Sequence, residues 1–332
     1  MNPNAPKLKF LYPGWYAVVM GLTGLSRAWQ RAVPLRGAGA GAAALVIGAL
    51  AAAVFVLLLV LTAWRGFSHA EAWAEDRRHP VRHTFIAALP ISALLVATAA
   101  VATLGPSVPA DALWWVGSLS QLYVTVWVLA RWWRGNQAGG LQWAGVTPAL
   151  FIPIVGNVLA PLAGVPLGHA EWAAAQFGIG LMFWPLAMAL VVSRVAIAGL
   201  WPERLRPTVF IFIAPPAVVG LSSLQLGAPL LLGWVLWGMA LFSLLWAASQ
   251  TRLIAAQPFG LPHWGMSFPL AAFAALTLRL AQPGGLMAVL GPLTLALASL
   301  VIAGLVLGTL RGLRNGTLLA PEPGPPILPA VG

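Results

Sequence analysis

Residues 39–63 read GAGAAALVIGALAAAVFVLLLVLTA, without a single charge. At the α-helical rise this segment reaches roughly 37 Å, more than the ~30 Å hydrocarbon core of a bilayer. Lipid offers the backbone no hydrogen-bond partners, so such a run has to satisfy itself as a helix. Working outward from it, further apolar runs of similar length recur along the chain, separated by short charged connections. They place spans at 14–32, 39–63, 84–104, 112–130, 146–165, 173–192, 208–225, 229–248, 264–281 and 286–308. The expected fold class is therefore all-α integral membrane, with ten transmembrane helices.

Composition agrees with this class. Hydrophobic residues fill 60% of the 332 positions and charged residues 8%, whereas a soluble domain is about a quarter charged. No connection is long enough for a separate soluble domain. The transmembrane domain is read as 1–312, and 313–332, ending PEPGPPILPAVG, as a proline-rich cytoplasmic tail. The first apolar run leads straight into further spans and reads as a retained helix, not a cleaved leader.

The net charge of +11 is topological. With the N-terminus inside, only Arg27, Arg31, Arg36 and Arg279 of the 18 basic residues fall outside, which leaves 14 on the cytoplasmic side. Positive residues mark cytoplasmic loops, so both termini are expected in the cytoplasm, and a single missed span would scramble the pattern. The basic residues are scattered singly between spans, which gives no reason to invoke nucleic acid. The chain has no cysteine, so disulfides and thiolate chemistry are excluded.

Prolines punctuate the odd spans at matched depth: Pro90, Pro153, Pro215 with Pro216, and Pro269. Each lies roughly 10 Å in from the cytoplasmic end by helical rise. Proline bends a helix, and backbone freed in a membrane must face protein or a wet cavity. The first span has Gly21 and Gly24 instead. The pattern suggests helical hairpins repeated around an axis, with bent odd helices inside. Pro185 and Pro292 in spans 6 and 10 show that it is not exclusive.

None of the seven acidic residues falls in a span, which argues against cation transport. The odd helices point their electropositive N-termini at the cytoplasm, and Arg82, Arg204 and Arg206 stand at those ends. Together they would form an anion-attracting inner mouth; meeting lipid phosphates is an equally simple role for each arginine. Asn157 is a polar group inside an odd span, suited either to lining a path or to bonding a neighbouring helix. The histidines sit in loops or at span ends, the only lysines are Lys7 and Lys9, and no phosphate loop or catalytic constellation is present. No cofactor, metal site or enzymatic activity is expected.

Five stretches carry a family likeness: FLYPGWYAVVMGLTGLSRAW (10–29), HPVRHTFIAALPIS (79–92), TPALFIPIVGNVLAPLAG (147–164), ERLRPTVFIFIAPPAVVGLS (203–222) and GMSFPLAAFAALT (265–277). In order and spacing the chain resembles the tellurite-resistance/dicarboxylate transporter family, which includes bacterial TehA, fungal malate permeases and sulfite pumps, and plant slow-type anion channels. The resemblance implies five helical hairpins around a central pore, a homotrimer with one pore per subunit, and a phenylalanine of the ninth helix as pore gate. The matching residue is Phe268. It implies an anion channel of the plasma (bacterial inner) membrane passing small inorganic or organic anions. The alternative is a coupled carrier or exporter of C4-dicarboxylate, sulfite or tellurite-type oxyanions.

Overall fold

A computed structural model of the protein describes residues 7–135, 137 and 139–321. The proline-rich end expected beyond Pro321 lies outside the described residues. Every regular element among the described residues is helical. In chain order the α-helices are α1 (Ala17–Arg31), α2 (Val33–Arg36), α3 (Ala38–Ser68), α4 (Ala70–Arg78), α5 (Ala88–Leu104), α6 (Val108–Leu129) and α7 (Phe151–Val158). They continue with α8 (Pro161–Gly164), α9 (Ala170–Ala198), α10 (Ala214–Gln225), α11 (Leu230–Ala248), α12 (Thr251–Ala255), α13 (Ser267–Arg279) and α14 (Leu286–Arg314).

Seven helical rods are long and apolar enough to cross a membrane: Ala38–Ser68, Arg82–Leu104, Val108–Arg134, Ala170–Ala198, Glu203–Gln225, Leu230–Ala248 and Leu286–Arg314. The other apolar stretches of the sequence are assembled from shorter pieces. They run through Pro13–Tyr16 and α1, through Pro148–Gly164, and through Leu261–Met266 and α13.

Five rods begin with a 3-10 stretch that passes directly into an α-helix. These are Pro13–Tyr16 before α1, Arg82–Ala87 before α5, Pro148–Leu150 before α7, Glu203–Ile213 before α10 and Leu261–Met266 before α13. The prolines explain the junction. Pro90, Pro153, Pro216 and Pro269 are each the third residue of their α-helix, where the missing N–H has no intrahelical partner to lose. A proline ring clashes with the carbonyl four residues back in α geometry. That carbonyl belongs to Ile86, Ala149, Phe212 or Gly265, all in the 3-10 stretches. The prolines therefore mark a change of helical pitch, and do not kink an otherwise continuous α-helix as the sequence alone suggests.

Burial separates two classes of rod. In the most apolar 18-residue window, all of Glu203–Gln225 and 72% of Arg82–Leu104 is buried, against 17–39% in the rods built on α3, α6, α9, α11 and α14. Every residue of α7 and all but the last of α13 are buried as well. α1 packs on α5 and α13, α10 on α7 and α13, and α5 on α7, so these five helices contact one another in a closed ring. Each also packs on the long helix that follows it: α3, α6, α9, α11 and α14 respectively. The outer faces carry exposed Leu, Val, Phe and Trp, which water would penalise and lipid accepts.

Candidate functional site

The five inner rods enclose two cavities in line. The first, about 60 Å³, is walled by the N-terminal parts of all five: Tyr12 and Met20, Phe85 and Ile91, Phe151 and Val155, Thr208 and Ile211, Trp264 and Phe268. The second, about 30 Å³, is walled by later residues of the same rods: Gly24, Arg27 and Arg31, Leu95, Leu162, Val218 and Leu221, Ala272 and Ala275. The rods therefore run parallel, with their N-terminal ends around one cavity and their C-terminal halves around the other. Among the described residues, Phe268 is the one side chain common to both linings.

The backbone carrying Phe268 is held from several directions. Trp264 is buried, and its indole N–H donates to Thr309 Oγ1 at 2.8 Å, tying the entry of α13 to α14. Ser267 Oγ donates to Trp264 O at 2.7 Å. Gly21 makes room for Ser267: a Cβ there would stand 2.3 Å from Ser267 Oγ. Gly24 makes room for the Phe268 ring itself. Gly21 and Gly24 thus let α1 approach α13 as closely as small residues allow. Of the two, only Gly24 also lines a cavity.

The remaining expected site residues divide. Pro269 lines the first cavity. Pro90, Pro153 and Pro215 are not in the wall of either, and Pro216 faces an outer groove between α9 and α11. Asn157 points away from the lumen. It is fully buried among α6, α7 and α9, donating to Thr125 Oγ1 at 2.8 Å and Pro153 O at 3.1 Å, and accepting from Gln176 Nε2 at 3.2 Å. The polar path-lining role allowed by the sequence gives way here to helix-to-helix bonding.

The three arginines expected at the inner mouth are not equivalent. Arg82 Nη1 lies 3.0 Å from Asp76 Oδ1 and 3.4 Å from Glu75 Oε1, with the guanidinium 5.8 Å from the centre of the Tyr12 ring. Asp76 is fully buried and also holds Arg65 Nη1 at 2.7 Å, while Arg65 Nε donates to Lys9 O. Arg82 is thus part of a clasp joining the end of α3, the short helix α4 and the start of the next inner rod. Arg206 pairs with Glu203 at 2.8 Å. Arg204 lies within electrostatic reach of His79, whose pKa is held down to about 4, by burial first and then by Arg82 and Arg204. Much of the positive charge at this end is matched by carboxylates on the same segments.

Three wall residues escape a reading based on span ends. Trp264 looks like an interfacial belt residue, yet it lies one turn before Phe268 and on the same face. Arg27 and Arg31 look like markers of the outer side. Their spacing from Gly24, three and seven residues, is the signal that they share the lumen face of α1.

Comparison with known proteins places this helical chain in a family. The model of the voltage-dependent anion channel family (SLAC1) covers residues 11–310. The chain belongs to this family. Among curated relatives, the tellurite resistance protein TehA homolog of Haemophilus influenzae is 27% identical over 264 residues, 79% of this chain and 78% of the relative. The S-type anion channel SLAH2 of Arabidopsis thaliana is 28% identical over 210 residues, 63% of this chain and 40% of the plant protein. SLAH1 of the same plant is 23% identical over 63% of this chain and 54% of its own length. The family is one of membrane anion channels and transporters, and the helical rods long and apolar enough to cross a membrane agree with it.

Proposed function

We propose that this protein is an anion channel of the bacterial inner membrane, built from ten membrane crossings arranged as five hairpins and gated by Phe268. The observation that carries the reading is the position of the Phe268 ring between two in-line cavities. Ions cannot shed water into an apolar neck without a large cost, so an aromatic plug of this kind bars passage.

The short inner rods fit ten crossings. A 3-10 helix rises about 2.0 Å per residue, so Leu261–Arg279 and Pro13–Arg31 each reach about 31 Å by adding 3-10 and α segments, close to the hydrocarbon thickness. The positive-inside bias supports cytoplasmic termini, and hence a cytoplasmic first cavity. Rod N-termini gathered there favour anions, as do Arg204 and Arg206, with the Asp76 and Glu203 pairings reducing what Arg82 and Arg206 add. Among the described residues the walls on either side of Phe268 hold no carboxylate and few hydroxyls, and their only charged groups, Arg27 and Arg31, suit anions. A coupled carrier of C4-dicarboxylate or similar oxyanions remains the second reading, but the small second cavity does not favour a four-carbon dianion. The apolar outer helices suit both lipid and assembly into a homotrimer, which cross-linking in native membranes tests by the appearance of trimer bands.

Anion flux into liposomes reconstituted with the full chain tests the proposal. Phe268→Ala should raise chloride and nitrate flux strongly with little loss of folded, monodisperse protein. A well-folded Phe268→Ala protein that passes no more chloride or nitrate than the parent would sink the gate.

A further inference from the structure

Beyond Phe268 the lumen changes character. The second cavity is otherwise lined by glycine, alanine, leucine and valine, but Arg27 and Arg31 of α1 also form its wall. Both are half-buried, and Arg279 at the end of α13 lies within electrostatic range of Arg31. Among the described residues, none of the three pairs with a carboxylate. Of the acids expected at this end, Asp111 is held instead by His169, at 2.7 Å.

This grouping is unfavourable by itself. Arg27 and Arg31 are one helical turn apart with like charge, and so repel. Desolvated cations without counter-ions are costly. At the other end of the same rods the protein supplies Asp76 and Glu203 to its arginines, whereas here the described residues supply none. A counter-ion from solution would relieve both costs, since a guanidinium fork binds small anions through several N–H groups.

We infer that Arg27 and Arg31 form an anion-binding site in the lumen immediately beyond Phe268, sized for one small monovalent inorganic anion. The volume sets the class. A single water needs roughly 10–15 Å³ of such space, so about 30 Å³ takes one small ion with little water, and not a four-carbon dicarboxylate. The site deepens the channel reading and rests on it for the route by which the ion arrives. It makes the ring of Phe268 a barrier with a waiting position on one side, which is how a pore combines selection with release.

The test is thermal melting of the purified full chain against nitrate, at constant ionic strength with gluconate as the bulky replacement. Ligand that binds the folded state raises the midpoint. Nitrate should raise it for the parent and for Arg36→Gln, an exposed arginine outside the cavity wall. Arg27→Gln and Arg31→Gln should each need about tenfold more nitrate for the same rise, the loss expected for one charged hydrogen-bonding partner. Crystals grown in bromide give a second readout that needs no variant: anomalous density should lie against one or both guanidinium groups. An identical nitrate response in all four proteins, or bromide density absent from this cavity, overturns the site. Flux separates the two ideas. A nitrate effect without flux of any anion would leave the site and remove the channel, while flux without a nitrate effect or bromide density would do the reverse.

Discussion

A side-chain carbon added to Gly24 would stand 3.1 Å from Cδ2 of Phe268 and 3.1 Å from Cβ of Ala271. The ring therefore leans into a recess that exists because residue 24 has no side chain. Gly24→Ala should cost roughly 1–3 kcal/mol through overpacking. Phe268→Ala should remove the part of that cost due to the ring, leaving the contact with Ala271, so the pair should be non-additive. Melting of the parent, the two single variants and the double variant measures this; additive effects would mean that Gly24 does not set the position of the ring.

The Asp76 clasp predicts an ordering of losses. Removing Asp76 strands Arg65, whose side chain is 2% exposed, so Asp76→Ala should cost about 3–5 kcal/mol. Arg82→Ala should cost less, because Asp76 keeps its bond to Arg65. If Arg82 serves chiefly as a clasp, its loss should leave the salt dependence of anion flux unchanged, in contrast to a residue that steers ions through screened, long-range charge. A marked change in that dependence for Arg82→Ala, with intact folding, would return Arg82 to the mouth.

Gln176 joins Ser118 to Asn157: Ser118 Oγ donates to Gln176 Oε1 at 2.6 Å, and Gln176 Nε2 donates to Ser118 O and Asn157 Oδ1. Gln176→Leu leaves buried partners unmatched, at an expected cost of about 1–3 kcal/mol. Because this network lies outside both cavities, relative chloride and nitrate permeability should not move. Altered selectivity in a stable Gln176→Leu protein would contradict that placement.

Acid should weaken the fold through His79. The Val81 and Arg82 N–H groups donate to His79 Nδ1, each at 3.1 Å, which requires that nitrogen to be unprotonated. The folded pKa is held down to about 4, from an ordinary value of 6.5. Between these values the unfolded chain binds a proton that the folded chain does not, so stability falls as pH drops from 6.5 towards 4 and is level above. His79→Gln should flatten the slope of melting temperature over that interval; an unchanged slope would assign the pH dependence to other groups.

How much of this was legible in the sequence depends on what each residue had to oppose. Charge-free runs such as 39–63 announce membrane helices because no other structure hides their backbone, and α3 indeed runs Ala38–Ser68. The prolines of the odd spans pointed to the rods that later prove most buried. Which face of those rods meets the lumen was harder to read. A soluble helix shows its inner face by contrast with a polar outer one, whereas here lipid and protein both select apolar residues. Asn157 was therefore ambiguous until Gln176 and Thr125 were seen beside it. The clasp was hidden for another reason: Arg65, Asp76 and Arg82 fall in one charged connection with Glu71 and Glu75, and only the fold shows that Asp76 is the carboxylate buried between the two arginines.

The eleven residues Glu203–Ile213 form one 3-10 stretch, well beyond the three or four residues at which such helices usually stop. At about 2.0 Å per residue against 1.5 Å in an α-helix, the stretch is roughly 5 Å longer than its α-helical equivalent, close to one α-turn. Pro207 inside the stretch, and Pro215 and Pro216 just beyond it, whose rings would meet the Ile211 and Phe212 carbonyls in α geometry, oppose its rewinding into an α-helix. This rod is thus held at its longer pitch, a spacer that sets Arg204 and Arg206 about one α-turn farther from the α-helical collar around the lumen than an α-helix of the same residues would.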